Sequence, residues 1–172
     1  MTITQQTMPT LHAPYTIYFS QILAAPIQET AAALLQQLSV EYIANIQPAN
    51  RQLTQKGAVN TTMNGESVII KNMVDGRGLA CPMPLLKTKV ALRDVGAGES
   101  LYVVATDPNS QADIVAFCQQ THKTQQSGAP ALTLILNQVS TSQVTNSVAD
   151  NHLDSAKPDT IFHFIITKTD TN

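Results

Sequence analysis

Ser67-Val-Ile-Ile-Lys-Asn-Met-Val74 runs into Asp75-Gly-Arg-Gly-Leu-Ala-Cys81 and then into Pro82-Met-Pro-Leu-Leu-Lys87. The first part is β-branched and apolar, which predicts a strand. The second predicts a loop, because Gly76 and Gly78 supply the positive φ that a strand-to-helix bend often needs. The third opens a helix that continues to Val95 and stops at Gly96. Pro82 and Pro84 suit a helix start, since the first N–H groups of a helix have no intrahelical acceptor to lose. Their fixed φ also stiffens the turn.

Cys81 then falls at or beside the helix N-cap. The positive end of the helix dipole favours a thiolate there, so the thiol is expected below its free pKa of about 8.5. One unit of depression would raise the thiolate fraction at neutral pH several-fold. The thiolate is the form that attacks sulfur, and a stabilised thiolate is also the better leaving group. Gly78, Pro82 and Pro84 are the residues expected to shape this loop around Cys81.

Outward from this segment the elements alternate. Ser100 to Thr106 predicts a second strand, Asp107-Pro-Asn-Ser110 a turn, and Ser110 with Asp113 a capping box opening a helix to His122. Leu132–Val139 and Thr160–Lys168 predict two further strands. The order β-α-β-α-β-β predicts an α/β two-layer sandwich, with two helices on one face of a mixed four-stranded sheet. The stretch 140–158 is rich in Ser, Thr and Asn and reads as an inserted polar loop.

Residues 1–66 differ from the rest, with five charged side chains, Glu29, Glu41, Arg51, Lys56 and Glu66. They read as a low-charge N-terminal extension carrying one helix, Gln28 to Ile46, with Leu34, Leu35, Leu38, Tyr42 and Ile46 at three- and four-residue steps. Pro48 to Gly65 reads as a linker, so the extension is expected to dock weakly on a closed unit beginning at Ser67.

In the 172-residue chain, 43% of residues are hydrophobic, 13% are charged and the net charge is −2. A core is therefore affordable, while the basic face that nucleic acids require is missing, so no direct nucleic-acid contact is expected. Two cysteines, Cys81 and Cys118, form neither a disulfide framework nor a zinc pattern, because His12, His122, His152 and His163 lack ligand spacing. No metal and no cofactor are expected. The first cation is Arg51, which does not suit the basic start of a signal peptide, and no apolar run approaches membrane-span length. A cytoplasmic protein with reduced thiols is expected.

Val74-Asp-Gly-Arg-Gly-Leu-Ala-Cys-Pro-Met-Pro-Leu-Leu-Lys-Thr-Lys-Val-Ala-Leu92 resembles the TusA/SirA-like sulfur carriers, whose hallmark is Cys-Pro-x-Pro after a first strand. Gly98-Glu99, Asp107-Pro108, Ser110, Asp113-Ile114, Phe117-Cys118 and His122 continue the likeness in order. It covers residues 70–125 closely and 131–168 loosely, making 67–169 a TusA-like domain with the 140–158 insertion. The resemblance implies a sulfurtransferase of the carrier type. Cys81 would accept persulfide sulfur from a donor such as a cysteine desulfurase and pass it to an acceptor protein. In that family the relays feed tRNA thiolation, molybdenum-cofactor assembly or dissimilatory sulfur metabolism.

Two other readings stand beside it: a non-catalytic adaptor of the same fold, and a thiosulfate-handling partner of a membrane transporter. An intact Cys-Pro-x-Pro disfavours the adaptor. Cys118, at a four-residue step from Ile114 and His122, reads as a core residue rather than a resolving thiol. His122 reads as helix-end packing and Asp107 as a turn or cap residue. On the helix from Pro82, the set Leu85, Thr88, Ala91, Leu92 and Val95 forms the core face. Leu86 and Val90 lie outside it beside Lys89 and Arg93, a surface suited to an acidic partner.

Overall fold

Residues 14–48, 66–123, 130–141 and 159–169 are described by a computed structural model, side chains 122 and 123 excepted. In chain order the elements are β1 (Tyr15–Phe19), α1 (Ala25–Leu35), β2 (Ile43–Gln47), β3 (Ser67–Gly76), α2 (Met83–Ala91), β4 (Ser100–Ala105), α3 (Pro108–Lys123), β5 (Ala131–Thr141) and β6 (Thr160–Thr169). A single 3₁₀ turn, Leu92–Asp94, extends α2 before Gly96.

One sheet of six strands runs in the order β2-β1-β3-β4-β6-β5. The expected four strands are present, but β1 and β2 add two more from the segment before Ser67. β1 pairs in parallel with both β2 and β3, through Ile17↔Val68 and Phe19↔Ile70. β3 pairs in parallel with β4, and β6 lies antiparallel between β4 and β5. The division at 66/67 therefore falls inside one sheet.

Both faces of that sheet are covered. Leu101, Val103 and Ala105 of β4 join Val74, Leu92, Val95, Ile114, Cys118 and Phe164 in the core under α2 and α3. Tyr102 and Val104, on the alternate side of the strand, join Ile17, Ile70, Ala31, Leu34, Leu35 and Ile165 in a second core under α1. The architecture is three layers rather than two. The physical reason lies in the crossovers. The β1-to-β2 step moves one way across the sheet and the β3-to-β4 step the other. Right-handed crossovers then carry α1 and α2 to opposite faces. The pairing register of β3 shifts between Ile70 and Asn72, so Val68 and Ile70 face α1 while Val74 and Gly76 face α2.

The helix expected over Gln28–Ile46 ends at Leu35, and Ile43–Gln47 is strand β2. The helical spacing of apolar residues persisted because helix end, turn and strand all face one core. Leu34, Leu35, Leu38 and Ile43 are buried there, with Tyr42 and Ile46 packed beside them. Pro26 does stand in the first turn of α1. Most of the linker and inserted-loop stretches, residues 49–65 and 142–158, lie outside the described residues, as do His12 and His152.

Candidate functional site

The β3–α2 loop is held from three directions. Gly78 has φ +74°, the left-handed region that Gly enters at no steric cost, and its N–H donates to Thr106 Oγ1 at 2.9 Å. Gly76 serves differently from the sequence expectation: its φ is not positive, and a Cβ there would lie 2.9 Å from the Val104 carbonyl oxygen and 3.1 Å from Pro84 Cβ. Glycine is needed at that position for close approach. Arg77 clasps Asp75 with Nε and Nη2, at 2.9 and 2.7 Å, and holds that carboxyl below the usual carboxylate range.

Cys81 precedes the helix cap, which is Pro82; the Cys81–Pro82 peptide is cis. Pro84 is buried in the first turn and packs on Gly76. The Cys81 N–H donates to Asp107 Oδ2 at 2.6 Å. The other oxygen of Asp107 accepts from the Asn109 N–H at 3.1 Å, so Asp107 caps α3 and anchors the cysteine loop with one carboxylate. These N–H bonds, the one from Cys81 first, lower the pKa of Asp107.

Cys81 Sγ donates a hydrogen bond to Asp113 Oδ2. This corrects two sequence expectations. Asp113 does not complete a capping box with Ser110: α3 begins at Pro108, and the buried Ser110 hydroxyl has no partner among the described residues. Nor is the Cys81 thiol depressed. The Asp113 carboxylate pushes it up, chiefly through the hydrogen bond, and partial burial and the Asp113 and Asp107 charges add to the effect. One carboxylate on the sulfur and a second on the Cys81 N–H act against the direction that the helix start alone would give. Sequence reading missed Asp113 as a neighbour of Cys81 because the adjacency of two parallel units, β3–α2 and β4–α3, brings them together.

Cys81 is partly exposed and opens on a cleft of ≈ 430 Å³ shared with Gly78, Leu79, Thr106 and Asn109. A second cleft of ≈ 750 Å³ adjoins it across Gly78 and Leu79, and Gln37, just past α1, lines it with Arg77 and Asp159. Cys118 lies elsewhere, buried in the core under α2 and α3, where burial pushes its thiol up to about 12. On α2, Met83, Leu86 and Val90 are exposed by 45%, 47% and 58%. Lys87, Lys89 and Arg93 are exposed around them, with Lys89 Nζ held 5.0 Å from the Phe117 ring centroid. Thr88, Leu92 and Val95 are buried, with Leu85 and Ala91 packed against them, as the core face of this helix requires.

Among the described residues no group of three or more His, Cys, Asp or Glu could hold a metal ion. No helix among them is long and apolar enough to cross a membrane.

These features define an α/β protein that presents one partly exposed thiol at a Cys-Pro-x-Pro helix start. Residues 72–126 match the family described as sulfurtransferase TusA. The chain is 49% identical over 49 residues to a proposed sulfur carrier protein, YrkF of Bacillus subtilis, covering 28% of this chain and 26% of YrkF. It is 46% identical over 48 residues to the sulfur carrier protein TusA of Allochromatium vinosum, covering 28% of this chain and 63% of that one. A proposed sulfur carrier protein of Neisseria meningitidis serogroup A is 42% identical over 59 residues, 34% of this chain and 72% of the relative. The chain thus spans about a quarter of YrkF and under two thirds of the A. vinosum protein. No solved structure matches it. The chain belongs to the TusA family.

Proposed function

We propose that this protein carries sulfur as a persulfide on Cys81, taking it from a donor such as a cysteine desulfurase and delivering it to an acceptor protein in tRNA thiolation or a related relay. The observation that carries this reading is the exposure of Cys81 at an open cleft while Cys118 is buried. A persulfide passes between proteins by attack of one thiol on the outer sulfur of another's persulfide. Such exchange needs a sulfur that a second protein can reach. The cleft and the glycine-containing loop around Cys81 leave that approach open.

Met83, Leu86 and Val90 supply an apolar stripe for the partner, with Lys87, Lys89 and Arg93 around it. That combination suits an interface with an apolar centre and an acidic rim on the other protein.

The test is intact-mass spectrometry after incubation with a cysteine desulfurase and cysteine. Cys81 gains about 32 Da per sulfur atom by persulfidation, and Cys81→Ser abolishes the gain. Sulfur found mainly on Cys118 would overturn the assignment.

A further inference from the structure

The Asp113 side chain has one hydrogen-bond partner among the described residues, and that partner is the reactive sulfur. Neither described ion pair involves it; these join Lys71 to Glu99 and Arg77 to Asp75. Asp107, by contrast, has both oxygens engaged by N–H donors. Lys89 of α2 is turned to the Phe117 ring instead. An ionised carboxylate against Sγ stabilises the thiol, which donates to it, and repels the thiolate, which would face it as a like charge.

A carrier whose only exposed thiol is restrained in this way reacts slowly with any small electrophile or oxidant. Sulfur transfer nevertheless needs the thiolate. The restraint is lifted by whatever neutralises Asp113, and a Lys or Arg side chain has the right chemistry for this half-buried carboxylate beside the cleft-lining Cys81.

We infer that Asp113 determines which sulfur donors Cys81 accepts: its carboxylate holds Cys81 as a thiol until a donor protein pairs it with a cationic side chain. The inference rests on the carrier reading and names the partner feature that reading lacks. In the productive encounter the donor cation pairs with Asp113 and Sγ gives up its proton. Sγ forms a bond to the outer sulfur of the donor persulfide as the donor's own S–S bond breaks. The electron pair of the broken bond stays on the donor cysteine, which takes the proton. The sum is Cys81–SH plus donor–S–SH giving Cys81–S–SH plus donor–SH, with no oxidant or reductant required.

The experiment uses the full chain, wild type and Asp113→Asn, Asp113→Ala and Asp113→Glu. Two rates are measured by mass spectrometry at pH 7.5: alkylation of Cys81 by iodoacetamide, and sulfur loading from a cysteine desulfurase with cysteine. Losing the charge speeds alkylation by about tenfold for each unit that the thiol pKa falls. It slows desulfurase loading several-fold, because the donor cation loses its counterpart. Asp113→Glu, which keeps the charge, stays nearer wild type in both.

A merely structural role would move the two rates together, so rates that rise together or fall together overturn the inference. So does unchanged alkylation in both neutral variants. A wild-type chain that takes up no sulfur overturns the carrier reading itself. A wild type that loads, beside an Asp113→Asn that loads equally well, overturns the inference alone.

Discussion

Leu101 and Tyr102 are neighbours in β4, yet they bury their side chains in different cores. Leu101 lies under α2 and α3. Tyr102 lies under α1, where its hydroxyl meets His163 Nδ1 at 2.8 Å. The far nitrogen of that ring, Nε2, is 2.7 Å from Ser140 Oγ, and Ser140 in turn donates to Gln37 Oε1 at 3.0 Å. A polar chain therefore links β4, β6 and β5 to the residue just past α1, inside the apolar layer that the N-terminal segment closes.

Deleting residues 1–66 removes β1, α1 and β2 together and bares Ile70, Tyr102, Val104 and Ile165 to water. The truncated chain is expected to be insoluble or molten, with secondary structure retained, near-ultraviolet dichroism lost and dye binding gained. Leu35→Ala probes the same layer in the full chain and is expected to cost about 2–5 kcal/mol, as buried Leu truncations do. A truncated chain that melts as cooperatively as the full one would refute this account.

His163 gives that layer a pH dependence. Burial lowers its pKa from the ordinary 6.5 to about 4, so the folded ring is neutral where an unfolded one would be charged. The unfolded state binds the extra proton between those values, so stability is complete above pH 6.5 and falls as pH drops toward 4. The loss across the window is about 3 kcal/mol. Asp75 and Asp107, both lowered, titrate below this window, so they do not obscure it. Thermal melts from pH 7.5 to 4.5 should show the fall in wild type and a flatter curve in His163→Gln. A flat wild-type curve counts against it.

The second helical face was legible in composition but in a form easily passed over. Leu101-Tyr-Val-Val-Ala105 and Ile161-Phe-His-Phe-Ile-Ile166 are near-continuous apolar runs, whereas a strand covered on one side alternates. Such runs imply cover on both sides, and the N-terminal segment is the stretch that supplies it. The Cys-Pro-x-Pro loop was legible because prolines and glycines act locally. Asp113 was not, since it stands 32 positions from Cys81 and meets it through strand pairing.

Cys118→Ala is expected to leave sulfur loading unchanged and to cost about 1 kcal/mol or somewhat more, the usual result of removing one buried heavy atom. Iodoacetamide applied to the native chain should modify Cys81 alone, because Cys118 is buried and its thiol is pushed up to about 12. Ready formation of a Cys81–Cys118 disulfide under mild oxidation would contradict this.

Leu86→Glu and Arg93→Glu test the α2 surface. Both side chains are exposed, so stability should change by no more than about 0.5 kcal/mol, while loading from a cysteine desulfurase should slow severalfold. Lys89→Ala is a poorer probe, because its contact with Phe117 contributes about 0.5–1 kcal/mol to the packing of α2 on α3. Loading at the wild-type rate in both charge variants would remove α2 as the docking surface.

The two margins of the sheet differ in how they meet other chains. β2 is short, five residues, and offers little backbone for a neighbour to read. β5 is long, Ala131–Thr141, and its outer side has no partner strand among the described residues. Its pairing with β6 slips between Leu134 and Leu136, leaving Ile135 as an extra residue in the ladder. A second copy approaching β5 in register would meet that irregularity midway. The bulge thus interrupts the margin most able to template intermolecular growth, and it guards a chain with only 13% charged residues against lateral addition of strands.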